Sequence, residues 1–412
     1  MIKSIIKFFS ITTLVFCQFG QNIVQYDDFD WYYIQSSHFD IYYYDIGKPN
    51  AEYVAYESEE AYKTISKYLN WDLTNRYSII VYNSHNDFQQ TNVIDSYLYE
   101  GIGGVTELYK NRFVIPFDGS HKEFKHVIHH ELVHVFINDY MYGGSLQNLV
   151  TRQINYIIPL WMNEGLAEHL SSNWNTGSDM WLRDMVINYG QLPNLNQLNG
   201  YLAYRGGQSV WRFITKKWGE EAIAEIFFQI KRKKNVESGV FEALGMKLSE
   251  INLQWHEYLK KTYFPEITGK SNLYEFSRRL TNNKDLGNNY NIAPAISPDG
   301  SKIAIYSNKN GNMALYIISP QTGKFLDKII QGERNSEYEE LHILKPGITW
   351  SPTGKNLAFS AKSGKSDAEL AKCTCQSSKV STAVLSSSDP SSSPPKHPAR
   401  DMVAIMIARK IA

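Results

Sequence analysis

Three residues stand at a spacing that can do chemistry: His130, Glu131 and His134, in the order His-Glu-Leu-Val-His. They lie inside an apolar stretch, HVIHHELVHVFI, from His126 to Ile137. Residues four apart share one face of a helix, so both imidazoles can aim at a single ion. Glu131 is turned by about 100° from His130. It sits near such an ion without having to bind it, as a base acting on an attacking water must. A tetrahedral catalytic zinc site needs a third protein ligand and an open position for water. The segment PLWMNEGLAE, Pro159 to Glu168, offers two carboxylates one turn apart, Glu164 and Glu168. His126, one turn before His130, reads as a capping or supporting histidine. His129 points elsewhere, and His169 competes weakly as a ligand.

The run Trp161-Met162-Asn163-Glu164-Gly165-Leu166-Ala167 resembles the Trp-x-Asn-Glu-Gly segment of the gluzincin (peptidase MA-like) zinc metallopeptidases, the aminopeptidase N-type enzymes among them. The resemblance implies that Glu164 completes a Zn²⁺ site with His130 and His134. Glu168 matches the carboxylate that orients a ligand histidine in thermolysin-like enzymes. The gap from His134 to Glu164 is longer than in either group, with an insertion around Tyr140 to Tyr156, and Glu168 stays open as the alternative ligand. The run from Tyr204 to Val210, YRGGQSV, resembles the Tyr-x-Lys-Gly-x-x-Val segment of the same aminopeptidases, which implies an oxyanion-steadying hydroxyl on Tyr204. Gly206 stands where that pattern has Lys. The exopeptidase Gly-x-Met-Glu-Asn signature is absent, and Gly103-Gly104-Val105-Thr106-Glu107 is the nearest stretch. Endopeptidase action therefore stays open. The resemblance covers roughly residues 24 to 265, most specifically 100 to 215.

Several elements must position these residues. Residues 31 to 45 alternate polar and aromatic side chains, which predicts a hairpin of half-buried strands. Residues 51 to 69 carry apolar side chains at helical spacing, and 76 to 82 read as a strand. Gly101 to Gly104 is a turn-rich loop. Residues 111 to 117 form a strand ending in Asp118-Gly119-Ser120, a helix-start signal. From His121 to about Pro265 the pattern is helical. The expected fold class is α+β: a gluzincin-type domain with a mixed N-terminal sheet subdomain and a mostly helical subdomain. In such a fold the strand at Arg112 to Pro116 is expected to be the edge that holds an extended peptide by main-chain pairing. Asp179, Arg183 and Asp184 are candidates for a salt network.

The texture changes after about residue 281. SPDGSKIAI at Ser297 is echoed by SPTGKNLAF at Ser351, an offset of 54 residues. A turn followed by an alternating strand, repeated at such a period, marks propeller-like blades. The pair resembles TolB-type β-propeller repeats. Two blades are too few to close a ring, which takes about four to eight. From about Ala368 the repeat is lost, and residues 376 to 398 are rich in Ser, Pro and Lys, a composition that builds no packed core. This tail resembles a disrupted reading frame. The expected organisation is a signal peptide over 1–20, a zinc metallopeptidase domain over 21–268, incomplete repeats over 282–366 and a low-complexity, disordered tail over 367–412.

Composition excludes other classes. The chain has 412 residues, a length that suggests roughly three domains. Lys+Arg and Asp+Glu are both 42, a net charge of zero, and phosphate binding needs a cationic excess, so nucleic acid is not the expected partner. The run Lys231-Arg232-Lys233-Lys234 reads as a solvated helix end. Cysteine occurs only at positions 17, 373 and 375, which excludes a disulfide scaffold and a Cys-rich zinc module for the body of the chain. There is no Gly-x-Ser-x-Gly elbow and no phosphate-binding loop, and Gly101-x-Gly103-Gly104 lacks the context of a dinucleotide fingerprint. Lys3 and Lys7 precede a short apolar run from Phe8 to Phe16, the pattern of a secretory signal. Phe16 stands where a lipoprotein box wants a small residue, which argues against lipidation at Cys17. The mature chain is expected to carry no membrane span and to be exported, periplasmic or secreted. The expected activity is peptide-bond hydrolysis by Glu131-assisted attack of water, with a peptide or protein as substrate. The repeats could bind a protein partner. The alternative is a catalytically silent envelope scaffold that binds through the repeats.

Overall fold

The computed structural model describes residues 27–94, 98, 101–107, 111–143, 157–188, 192–287, 290–332, 338, 340–341, 343, 347–363, 366–374 and 409–410. The expected signal segment, Cys17 and most of the tail lie outside the described residues. The chain divides into two compact units, residues 1–268 and 269–412. Among the described residues no helix is long and apolar enough to cross a membrane.

The first unit opens with β1 (Trp31–Gln35) and β2 (Phe39–Tyr44), followed by the helix α1 (Lys48–Leu69). Next come β3 (Tyr77–Tyr82), β4 (Val105–Glu107) and β5 (Arg112–Pro116). The five strands form one mixed sheet in the order β1-β2-β3-β5-β4. β2, β3 and β5 are parallel neighbours, while β1 and β4 pair antiparallel at the two edges. One face of the sheet presents Phe39, Ile41, Ile79, Val81, Phe113 and Ile115 to the main core. The other face joins Tyr44, Tyr82, Phe88, Leu98 and Val114 in a smaller cluster. Being buried on both faces, β3 and β5 read as nearly continuous apolar runs.

Two expectations about strands change here. β5 is not the edge, because β4 pairs along it, Val105 opposite Val114 and Glu107 opposite Arg112. An ion pair between Glu107 and Arg112 closes that register. A three-residue strand is too short to show period-2 alternation, which is why β5 looks like the edge in sequence. The first strand of the hairpin is also barely buried: Trp31, Tyr32 and Tyr33 are all exposed, because among the described residues β1 has a neighbour on one side only.

The helix α2 (His121–Tyr142) runs through the core. Ser120 caps it by accepting the Glu123 N–H, and Gly143 ends it in the left-handed region at φ 71°. Leu132, Val133, Val135 and Phe136 are fully buried, so α2 has little amphipathic character, as a core helix should. Near its C-terminal end, the buried Asp139 accepts hydrogen bonds from Trp71 Nε1 (2.9 Å), Thr74 N (3.0 Å), Thr74 Oγ1 (2.7 Å) and the Tyr77 hydroxyl (3.2 Å). That set satisfies a buried carboxylate and ties the α1–β3 connection to α2.

Six more α-helices follow α2 among the described residues of this unit. They are α3 (Leu160–Ser171), α4 (Thr176–Asn188), α5 (Tyr201–Trp218), α6 (Ala222–Lys233), α7 (Val236–Leu244) and α8 (Leu248–Ile267). α3 and α5 cross at two glycines. A Cβ on Gly207 would stand 2.2 Å from the Trp161 carbonyl oxygen, and one on Gly165 would stand 2.3 Å from the Gly207 carbonyl carbon. A methyl at either position would push the helices apart, an overpacking strain of about 1–3 kcal/mol. Trp211 Nε1 donates to the Met162 carbonyl (2.9 Å) across the same crossing. The salt network around Arg183 joins Asp179 (2.5 Å) and Glu266 (2.6 Å). Asp184 is not part of it; it accepts from Asn188 one turn on, while Glu266 arrives from the distant α8. At the end of α6, Lys231 lies over the rings of Trp71 and Tyr140, and Arg232 and Lys233 pair with Glu242.

In the second unit, β6 (Asn291–Ile296), β7 (Ile303–Asn310), β8 (Asn312–Ile318) and β9 (Phe325–Gln331) form a four-stranded antiparallel meander. A second sheet contains β10 (Glu340–Leu341), β11 (Ile348–Trp350), β12 (Asn356–Ser363), β13 (Ser366–Thr374) and β14 (Arg409–Lys410). The two turns that echo in sequence repeat in structure. Gly300 N donates to the Ser297 carbonyl as Gly354 N does to that of Ser351, and both glycines have positive φ, 70° and 67°. Lys302 N donates to Ser297 Oγ as Asn356 N does to Ser351 Oγ. Trp350 Nε1 donates to the Ala295 carbonyl, and residues of both sheets share one core. Strand structure continues to Thr374, past the expected start of the disordered tail at 367. β13 gains the ladder of β12, a long-range pairing that composition does not register.

Candidate metal centre

α2 brings His130, Glu131 and His134 to one place, all at least nine-tenths buried. α3 supplies Asn163, Glu164 and Glu168, and α5 supplies Tyr204 and Arg205. The glycine crossing lets the α3 and α5 backbones approach closely beside this cluster.

Three donor atoms form a near-equilateral triangle. His130 Nε2 and His134 Nε2 are 3.1 Å apart, and each is 3.2 Å from Glu164 Oε2. A tetrahedral zinc with bonds of about 2.0–2.2 Å sets its donors about 3.3–3.5 Å apart. Two imidazole nitrogens and one carboxylate oxygen are also the donor types such an ion takes. The residues therefore fit zinc.

Glu168 is placed differently. Its Oε2 lies 2.6 Å from Arg205 Nη1, and its Oε1 lies between His126 Nε2 (3.2 Å) and His130 Nδ1 (3.3 Å). It thus faces the ring nitrogen of His130 that points away from the triangle. His126, His130 and Glu168 also have donor atoms within 4.8 Å of one another. There the Arg205 guanidinium already places a positive charge on the Glu168 carboxylate. His130 Nδ1 has no aligned hydrogen bond, so the contact with Glu168 is one of charge. His134 Nδ1 lies 3.3 Å from Asn163 Oδ1, which leaves Nε2 free for a metal.

Glu131 stays outside the triangle. Thr106 Oγ1, on β4, donates to Glu131 Oε2 at 2.6 Å. Gly104 leaves room for the same side chain: a Cβ there would stand 2.8 Å from Glu131 Cγ. The Tyr204 ring stacks on His130 at 5.8 Å between centroids and 11° between planes.

The carboxylates and imidazoles of the cluster shift one another's ionisation. Burial opposes ionisation of Glu164, but hydrogen bonds from His130 and His134 hold its carboxyl well below the usual range. Burial opposes ionisation of Glu168 as well, but its contacts with His126 and His130 hold that carboxyl below the usual range. Burial would lower the His130 pKa, yet Glu164 and Glu168 drive it up to about 10. Burial, then the charges of Glu164 and Glu131, push the Tyr204 phenol up, so it stays a neutral donor. One consequence is measurable. Without metal, the contacts with Glu164 and Glu168 favour the protonated form of His130 at neutral pH, and a ligand imidazole must give that proton up. Zinc binding near pH 7.5 is expected to release about one proton, with affinity rising roughly tenfold per pH unit until His130 is neutral. Calorimetry in two buffers of different ionisation enthalpy counts that proton, and a count of zero contradicts a protonated His130 in the metal-free protein.

No family model matches the sequence, and no curated protein matches it. Similar solved structures include the M1 zinc metallopeptidase from Deinococcus radiodurans, at 12% identity and a TM-score of 0.32 over 55% of this chain. Aminopeptidase A from Legionella pneumophila, solved with aspartic acid, aligns at 12% identity and a TM-score of 0.36 over 71% of this chain. TolB from Acinetobacter baumannii aligns at 26% identity and a TM-score of 0.16 over 20% of this chain. The chain spans 51%, 31% and 18% of those chains' own lengths. Overlaps this partial leave the weight on the chain's own residues.

The structure brings together every sequence candidate: His130, Glu131, His134, Glu164, Glu168 and Tyr204. The other histidines part ways. His126 supports Glu168, and its Nδ1 is within 3.2 Å of Ser171 Oγ. His129 turns to the buried Glu57, 3.3 Å away, which Lys125 also neutralises. Burial and the Arg212 charge push His169 down to about 4, and it joins none of the metal-ligating groups. The sequence by itself assigns no role to Thr106, Asn163 or Arg205. Asn163 and Arg205 are neighbours of Glu164 and Tyr204 in the Trp-x-Asn-Glu-Gly and Tyr-x-Lys-Gly patterns, a signal that could have found them. Thr106 carries no signal of its own.

Proposed function

We propose that the chain is an exported, gluzincin-type zinc peptidase that cleaves peptide bonds. The observation that carries this reading is the convergence of His130 Nε2, His134 Nε2 and Glu164 Oε2 within 3.1–3.2 Å, with Glu131 held apart on Thr106. The zinc ion, when bound, supplies the Lewis acidity that makes water a nucleophile near neutral pH and polarises a carbonyl. The protein supplies the rest. Thr106 holds one oxygen of the Glu131 carboxylate. Glu131 takes the proton from the attacking water and delivers it to the departing amine nitrogen as the C–N bond breaks. The protonated Tyr204 hydroxyl donates toward negative charge on the former carbonyl oxygen, a contribution of about 3 kcal/mol for a well-placed donor. Glu168, Asn163 and Arg205 hold the two ligand rings in place.

The edge strand β4 leads directly into this arrangement. Thr106 lies on it, and among the described residues β4 pairs with β5 alone, so in this reading an extended peptide adds along its other side by main-chain hydrogen bonds. Such a peptide would run past Glu131. Purified full-length protein is expected to hold one zinc per chain and to hydrolyse members of a mixed peptide library. A chelator should abolish the activity and added zinc restore it. Stoichiometric zinc with no hydrolysis across the library would favour the silent scaffold instead.

A further inference from the structure

A line of aromatic rings leads from the metal ligands to the surface. Tyr204 stacks on His130, and Tyr201, three residues earlier on α5, follows Tyr204 at 6.4 Å and 21°. Trp181 on α4 meets Tyr201 at 4.7 Å and 54°. These last two rings are 40% and 47% exposed, for Trp181 and Tyr201 respectively, and Met180 beside them is 57% exposed. Isolated exposed aromatics need no explanation. A contacting pair continuous with a candidate metal ligand does, because the core gains little from it.

One ring of the pair, Tyr201, is also held in place. Arg205 Nε lies 3.1 Å from the Tyr201 hydroxyl, and its guanidinium stands over the same ring at 5.7 Å. Nη1 of that guanidinium contacts both Glu168 (2.6 Å) and Ser178 Oγ (3.3 Å). One cation therefore fixes Tyr201 relative to the carboxylate that supports His130. Because Arg205 is paired with Glu168, it offers no free positive charge to an acidic side chain. What remains is an apolar, polarisable wall, preorganised and open to solvent.

We propose that Trp181 and Tyr201 form a specificity subsite that takes an aromatic side chain of the peptide substrate. The proposal rests on the peptidase reading and deepens it. Two ring steps separate Tyr201 from His130, and an extended peptide advances about 3.3 Å per residue. The recognised side chain therefore lies within about four residues of the scissile bond. Ring-on-ring contact beyond simple burial is typically worth about tenfold in affinity.

The test uses two readouts on the zinc-loaded full chain. Peptide pairs carry Phe or Ala at each position within four residues of the cleaved bond, and kcat/KM is compared as a Phe/Ala ratio. The same pairs are titrated calorimetrically against the zinc-loaded Glu131→Gln variant, which reads binding without turnover. At one position the Phe peptide is expected to be preferred about tenfold. Trp181→Ala and Tyr201→Ala, both surface changes, should bring that ratio to about one or two. Tyr201→Phe keeps the ring and should keep most of the preference. Preferential binding that Trp181→Ala abolishes, with no hydrolysis by the native chain, would support the subsite and remove the peptidase reading. Hydrolysis with a Phe/Ala ratio near one, or a ratio that survives both alanine variants, would overturn the subsite and leave the peptidase reading standing.

Discussion

Glu131→Gln is expected to bind zinc at full stoichiometry while peptide hydrolysis falls by about 10²–10⁴-fold, the range for losing a general acid–base group. The amide has nearly the shape of the carboxylate, so it still fits beside Gly104 and can still hydrogen-bond to Thr106. It cannot take a proton from water. Since the Glu131 side chain is not one of the three triangle donors, the variant leaves His130, His134 and Glu164 intact. Metal content by mass spectrometry and single-turnover rates check the two halves together. A zinc-loaded variant with native activity would refute the role of Glu131 as the base.

His134→Ala is expected to do the reverse and lose the metal itself. It removes one corner of the triangle and leaves Glu164 with a single imidazole partner among the ligands. Zinc stoichiometry should fall close to zero at micromolar metal, and hydrolysis with it. Stability gives an independent readout. A ligand that binds only the folded chain at about a thousand times its Kd stabilises it by about 4 kcal/mol. The native protein should therefore melt several degrees higher with zinc than without it, whereas His134→Ala should show little difference. If the variant keeps one tightly held zinc per chain, the ligand set is wrong.

The parts of this site legible in sequence are those set by short-range geometry. His130 and His134 share a face because a helix turn is 3.6 residues, and the apolar residues around them already announce a buried helix. The turns at Ser297 and Ser351 are legible for the same reason. Ser-Pro-x-Gly chemistry specifies its own hydrogen bonds, and the structure repeats them residue for residue. Where the sequence misleads, the missing information is pairing. β5 reads as an edge until the three residues of β4 close along it. The stretch from 367 reads as tail until β12 accepts it as a strand. Asp184 reads as a partner of Arg183, yet the acid that joins Asp179 there is Glu266 of α8.

The sequence alone determined that two imidazoles and an adjacent carboxylate would stand on a buried helix, since that follows from their spacing and the apolar residues around them. Tertiary structure alone decided which distant carboxylate meets them. Glu164 and Glu168 lie one turn apart on the same helix and are equal in every local respect. Glu164 faces both Nε2 atoms, while the Gly165–Gly207 crossing lets α5 come close and bring Arg205 onto Glu168, which meets only His130 Nδ1.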